Sequence, residues 1–178
     1  QNKVAFCSTS DEFPFGFISI DEPGISEMFA SYFDNLVQSK YVYSIEETIT
    51  KWEEMVEQIE REIQNARKQN TDILIFPELC LSGYMIGDLW EQNAFLRECE
   101  RYGQKIADAA ENIIVIFGNI AVDPKKKNND GRVRKYNAAF AACNGQFLKN
   151  DRGLSYTIKT LLPDYRQFDD KRHFTSLP

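Results

Sequence analysis

A run of about 18 apolar residues is missing from this chain, so no segment reads as a membrane-spanning helix. The start, Gln1-Asn2-Lys3-Val4-Ala5-Phe6-Cys7, has neither the charged nor the apolar part of a secretory leader. Basic residues are in deficit: 21 lysines and arginines face 27 acidic residues, a formal net charge of -6. That balance argues against a nucleic-acid or membrane-surface binder, since both need basic faces. Histidine is reduced to His173 alone, and Cys7, Cys80, Cys99 and Cys143 are scattered with no CxxC pair. Zinc ligands come at close spacing, so no metal is expected. The same scatter, in a chain that is neither small nor cysteine-dense, reads as buried, reduced thiols in a cytoplasmic protein. GxGxxG, GxxxxGK(S/T) and GxSxG are all absent, which leaves no sequence-visible dinucleotide, P-loop or nucleophile-elbow site.

What is present is a chain of 178 residues, suited to one domain with its own core. KVAFC at 3–7 reads as a short strand. Residues 8–43 carry turn signals at Pro14-Phe15-Gly16 and Pro23-Gly24 and read as a surface insertion. Ile45, Ile49, Trp52, Val56, Ile59, Ile63 and Ala66 recur at spacings of four and three, one apolar stripe on a helix that faces a sheet. Ser44 with Glu47 fits a capping box, as does Asp88 with Glu91. Residues 72–77 form a continuous apolar strand of the kind buried on both faces. Phe95, Cys99, Tyr102 and Ile106 mark the next helix, and 112–122 the next buried strand. Strand, helix, strand, helix, strand is the pattern of an α/β fold. The basic run at 125–127 reads as a solvated hairpin tip. YNAAFAAC, Asn144-Gly145 and QFLKN make a hairpin, so the sheet is mixed.

Two charged residues sit at strand ends. Glu78 follows the strand of TDILIFPELCLSGY, at the edge where open α/β sheets bind ligands. A carboxylate partly withdrawn from water there suits proton transfer; the plain alternative is a loop glutamate. Lys159 ends the run Tyr156–Ile158 and is suited to hold a positive charge beside a developing oxyanion; the plain alternative is a surface lysine with its stem on apolar neighbours. Asp169, Asp170, Lys171 and Arg172 read as a surface ion-pair cluster of small energetic value, and His173 as a structural or pocket-wall residue.

FPELCLSGYMIGDLW, KYNAAFAACNGQ and KTLLPDYRQFDDKRHF resemble, in this order, three blocks of the nitrilase or carbon-nitrogen hydrolase superfamily. More narrowly they resemble the glutaminase domain of glutamine-dependent NAD synthetases. The blocks cover roughly residues 71–175. The resemblance implies a four-layer αββα sandwich, here in part, and a homo-oligomer. It implies a Glu-Lys-Cys triad with glutamine as substrate: Glu78 as general base, Lys159 as stabiliser of the tetrahedral intermediate, Tyr84 and Tyr165 lining the glutamine pocket. The thiol forms a thioester and releases ammonia. ATP and magnesium, with nicotinic acid adenine dinucleotide, belong in the family to a synthetase domain that makes NAD. The family's cysteine comes after the lysine block, and this sequence ends at Pro178. The expectation is therefore that 1–178 is the N-terminal portion of the glutaminase domain, without its nucleophile or the synthetase domain, and inactive alone. Residues 8–43 and the stretch before Lys159 are longer than the family pattern. An aliphatic amidase or ω-amidase, and an inactive scaffold, are the alternative readings.

Overall fold

The structure, a computed structural model, describes the backbone of residues 4–6, 18–19 and 45–50, and residues 51–84, 86–166 and 168–176 with their side chains. The expectations for Cys7, for the Ser44 cap and for the burial of Ile45 and Ile49 lie outside the described residues. So does most of 8–43, although Ile18–Ser19 enters the sheet as an edge strand.

The elements follow the expected order. β1 (Val4–Phe6), β2 (Ile18–Ser19), α1 (Ile45–Lys68) and β3 (Ile73–Ile75) are followed by a 3-10 turn (Gly87–Glu91) and α2 (Asn93–Ala109). Then come β4 (Ile114–Lys127), β5 (Val133–Cys143), β6 (Gln146–Phe147), β7 (Thr157–Ile158), β8 (Asp164–Tyr165), β9 (Phe168–Asp169) and α3 (Asp170–His173). The main sheet runs β2-β1-β3-β4-β5-β6, with β7 also on β5. β1, β3 and β4 are parallel, as strands joined through helices are. β4 and β5 form a long antiparallel hairpin. Asn144 and Gly145, at φ 51° and 76°, turn β5 into β6 in the conformation that an Asn-Gly pair favours.

The helices form because one stripe of each is apolar. On α1, Val56, Ile59, Ile63 and Ala66 are all but fully buried. Its end is a Schellman motif: Asn70 takes φ 55°, its N–H donates to the Arg67 carbonyl at 3.0 Å, and that of Thr71 to the Ala66 carbonyl at 3.1 Å. Asparagine tolerates this left-handed turn, so the chain reverses directly into β3. Trp52 stacks on Phe95 of α2 with ring centroids 4.6 Å apart, locking the two helices. Leu74, Val115 and Phe117 join both stripes in one core. The alternating residues Ile73, Ile75, Ile114 and Ile116 are only half-buried. On β4 that second face continues through Gly118 and Ile120, and by register to Asn137 of β5. It is the face that carries the site.

One expected cap is not made. Asp88 and Glu91 lie within the 3-10 turn, and neither Ile86, which caps that turn, nor Gln92, which caps α2, makes a side-chain cap bond. Asp88 instead accepts from Arg172 at 2.8 Å, and Glu91 accepts from Lys135 at 2.6 Å. Tertiary ion pairs have taken both ends of the apparent box.

Candidate functional site

Glu78 stands where the β3 ladder runs out. Phe76 donates to the Ile116 carbonyl at 2.8 Å, and beyond it the regular register with β4 ends. The chain then passes directly over β4. The Gly118 N–H donates to the Pro77 carbonyl at 3.2 Å, and the Leu81 N–H to the Gly118 carbonyl at 3.3 Å. Leu79 takes φ 47°, a left-handed conformation that costs a residue with a Cβ about 1–2 kcal/mol. Its return is that Leu79 and Leu81 both enter the core, at 0% and 1% exposure, while the Glu78 side chain keeps 44% of its surface.

Two groups converge on Glu78. Asn137, 2% exposed, donates from Nδ2 to Oε1 at 2.5 Å. Lys159 Nζ lies 2.6 Å from the same oxygen, and the backbone N–H of Lys159 donates to the Asn137 carbonyl at 2.9 Å. Asn137 therefore fixes the carboxylate with its side chain and the lysine with its backbone. On the far side of the ammonium is Asp170 Oδ2, at 3.4 Å.

Asp170 corrects the sequence reading. It is 1% exposed, not a surface residue, and both its oxygens accept from the Tyr84 hydroxyl, at 3.0 and 3.1 Å. Burial, then the negative charges of Glu78 and Asp170, push the Tyr84 phenol up, so Tyr84 stays a proton donor. Its ring sits beneath Lys159, 5.8 Å from Nζ. The rest of the expected surface cluster is on the surface: Lys171 pairs with Asp164 at 3.2 Å, and Arg172 with Asp88 and Asp169. Tyr165 is 61% exposed and packs on Phe168. It borders an open concavity of about 560 Å³ whose wall includes Lys159, Leu162 and Asp164. The structure thus brings Glu78, Lys159 and Tyr84 into one charged cluster and leaves Tyr165 at the rim.

A family model described as carbon-nitrogen hydrolase matches residues 35–171. The chain belongs to that family. Over 111 residues it is 36% identical to a glutamine-dependent NAD(+) synthetase of Thermotoga maritima, covering 61% of this chain and 17% of the relative. A crystal structure of a glutamine-dependent NAD(+) synthetase from Cytophaga hutchinsonii aligns with TM-score 0.58 and 27% identity, over 71% of this chain and 20% of that one. A carbon-nitrogen hydrolase from Helicobacter pylori shares the fold at TM-score 0.56 and 13% identity, over 99% of this chain and 45% of that one. This carbon-nitrogen hydrolase chain therefore spans less than a fifth of the length of the Thermotoga relative.

Among the described residues of this carbon-nitrogen hydrolase, the thiols Cys80, Cys99 and Cys143 do not join the cluster. Cys80 is 9% exposed and its Sγ points to the Gly118 carbonyl, 3.5 Å away; burial pushes its thiol up to about 12. Cys99 lies in the α2 core, where burial and the neighbouring Glu100 push its thiol up as well. Cys143 is half-buried at the end of β5, where full burial was expected: a strand end next to a turn lacks neighbours to cover it. Neither Cys80 nor Cys99 is poised as a thiolate. Cys80→Ala is therefore expected to leave turnover unchanged, as read by product release; loss of turnover would make Cys80 the nucleophile. Among the described residues, no group of three or more His, Cys, Asp or Glu side chains is placed to hold a metal ion.

Proposed function

We propose that this chain forms the base-and-cation part of a glutaminase site, within a glutamine-dependent NAD synthetase. The observation that carries the reading is the contact between Lys159 Nζ and Glu78 Oε1 at 2.6 Å, across 81 residues of sequence. A carboxylate and an ammonium held together by a buried Asn and a buried Asp form a preorganised proton acceptor beside a fixed positive charge. The names of the relatives supply the substrate class.

In this reading a thiol from a segment outside the sequence gives its proton to Glu78. The thiolate attacks the side-chain carboxamide carbon of glutamine, and Lys159 balances the oxyanion that forms. The proton passes from Glu78 to the leaving nitrogen, the C–N bond breaks, and ammonia departs from a thioester. Water then gives a proton to Glu78 and its oxygen to the acyl carbon, which frees glutamate and restores the thiol. Tyr84 holds Asp170 and so the far side of the ammonium; Tyr165 borders the approach. ATP, magnesium and nicotinic acid adenine dinucleotide are assigned to a synthetase domain of the same protein, and no residue of this chain is given a role in that step.

The test is turnover by the full-length protein with glutamine and, separately, with short aliphatic amides. Glutamate release with a clear preference for glutamine is the expected result. Ammonia from aliphatic amides alone would replace this reading with that of an amidase. No turnover of either would leave a scaffold.

A further inference from the structure

A second group of charges lies on the same sheet face as Asn137, two residues back along β5. Lys135 is 3% exposed, and its Nζ donates to the Trp90 carbonyl at 2.6 Å and to Glu91 Oε2 at 2.6 Å. Arg132 Nη1 reaches the same oxygen at 3.1 Å. The other oxygen of Glu91 is 2.9 Å from Nδ1 of His173, which is itself buried. Burial pushes the Glu91 carboxyl up, but the hydrogen bonds from Lys135 and His173 and the charges of Lys135 and Arg132 outweigh it and hold the group below the usual carboxylate range. One anion is thus shared by the 3-10 turn, β5 and α3.

Of these, α3 is the element that cannot place itself. It has four residues, too few for its own hydrogen bonds to hold a helix. Asp170 and His173 stand at its two ends, three residues apart and so on one side of the turn. Asp170 meets Tyr84 and Lys159. His173 meets Glu91 and sits edge-on to the Trp90 ring, centroids 5.1 Å apart. The Phe174 N–H closes on the Asp170 carbonyl at 2.8 Å, and the Thr175 N–H on the Lys135 carbonyl at 2.8 Å. The strand that fixes Glu78 through Asn137 therefore also pins α3, through the carbonyl and the ammonium of Lys135.

We propose that Glu91 is a positioning residue: held by Lys135, it fixes His173 and with it the single helical turn that delivers Asp170 to the ammonium of Lys159. The proposal rests on the reading of Glu78 and Lys159 as the reacting pair.

The experiment compares Glu91→Gln, Asp170→Asn and the double variant in the full-length protein. It records kcat and KM for glutamine, together with hydrogen exchange of the peptide spanning 168–176. Glu91→Gln is expected to lower kcat by between about tenfold and a hundredfold, the size of loss that a displacement of roughly 1 Å brings, with KM little changed. In the Asp170→Asn background the same change should cost little more, because both residues act through one ammonium. Exchange in the α3 peptide should quicken in Glu91→Gln. Losses that multiply in the double variant, or an unchanged exchange rate, would overturn the proposal. Should Glu91→Gln fold poorly, Glu91→Gln with Lys135→Met removes the buried cation along with its partner; the same kcat loss is expected, and wild-type kcat there also overturns it. A wild type that hydrolyses no glutamine, with α3 still loosened by Glu91→Gln, would overturn the glutaminase reading and leave the clamp standing.

Discussion

Glu78→Gln is expected to lower kcat for glutamine hydrolysis by about 10²–10⁴-fold, the range that a positioned acid–base group contributes. The replacement keeps the size of the side chain. Its amide oxygen still accepts from Asn137 and Lys159, so the surroundings hold their shape while the capacity to take a proton is lost. KM should change little, since in the proposed reading Glu78 acts on the proton and not on the binding of the amide. Steady-state glutamate release by the full-length protein reads this directly. A variant that keeps more than about a tenth of wild-type kcat would return Glu78 to the plain role of a loop carboxylate, because that loss is smaller than removal of a general base produces. Lys159→Ala is the harsher change. It leaves Asp170, whose side chain is 2% exposed, as a buried anion without its cation. Removing one partner of a buried pair costs about 3–5 kcal/mol, so its activity loss must be read together with a denaturation curve.

Gly118→Ala is expected to disable the site from below. A Cβ at Gly118 would lie 2.2 Å from the Leu79 nitrogen and 2.7 Å from the Glu78 carbonyl carbon and Cα. These are backbone atoms, so no change of rotamer relieves the clash. Either β4 or the segment 77–79 has to move, and the second carries Glu78 away from Asn137 and Lys159. Overpacking of this kind costs about 1–3 kcal/mol, and a displacement of about 1 Å at the base can cost a further hundredfold in rate. Gly103→Ala is the comparison. Its Cβ would meet a side-chain atom, Asn119 Nδ2, at 3.2 Å, a contact that needs a shift of only a few tenths of an ångström and touches no backbone. Denaturant midpoints and kcat measured on both variants separate the two cases. Equal and mild effects would mean that the crossing of β4 does not set the position of Glu78.

The parts of this arrangement that were legible in the sequence are those with local causes. The α1 stripe follows from a 3.6-residue period, and the turn after Cys143 from the readiness of Asn144 and Gly145 to take positive φ. The unbroken apolar run of β3 gave the strand but not burial on both faces, since Ile73 and Ile75 lie on the half-buried face that carries the site. Glu78 and Lys159 were conspicuous as charges at the ends of apolar strands. Asp170 was not, because within Asp-Asp-Lys-Arg nothing local distinguishes the one carboxylate that folds inward. Only the separate approach of Tyr84 and Lys159 selects it. Asn137 carried a signal that went unread: an amide in the midst of Tyr136, Ala138, Ala139 and Phe140 needs a partner once buried. Gly118 looked like any strand glycine, since its reason is another segment crossing above it. The apparent cap at Asp88 failed because spacing alone does not show that Arg172 and Lys135 compete for the same carboxylates.

The sequence separations inside the site also set its timetable. Glu78 is 59 residues from Asn137 and 81 from Lys159, and Tyr84 is 86 from Asp170. At the roughly 5–20 residues per second of chain synthesis, Glu78 leaves the ribosome on the order of 4–16 seconds before Lys159. Long-range pairings of this kind close late, after the local helices and their loops. For that interval the growing chain holds β3 and α1 but no assembled charge pair, and Asp170 reaches the Lys159 ammonium only when α3 docks.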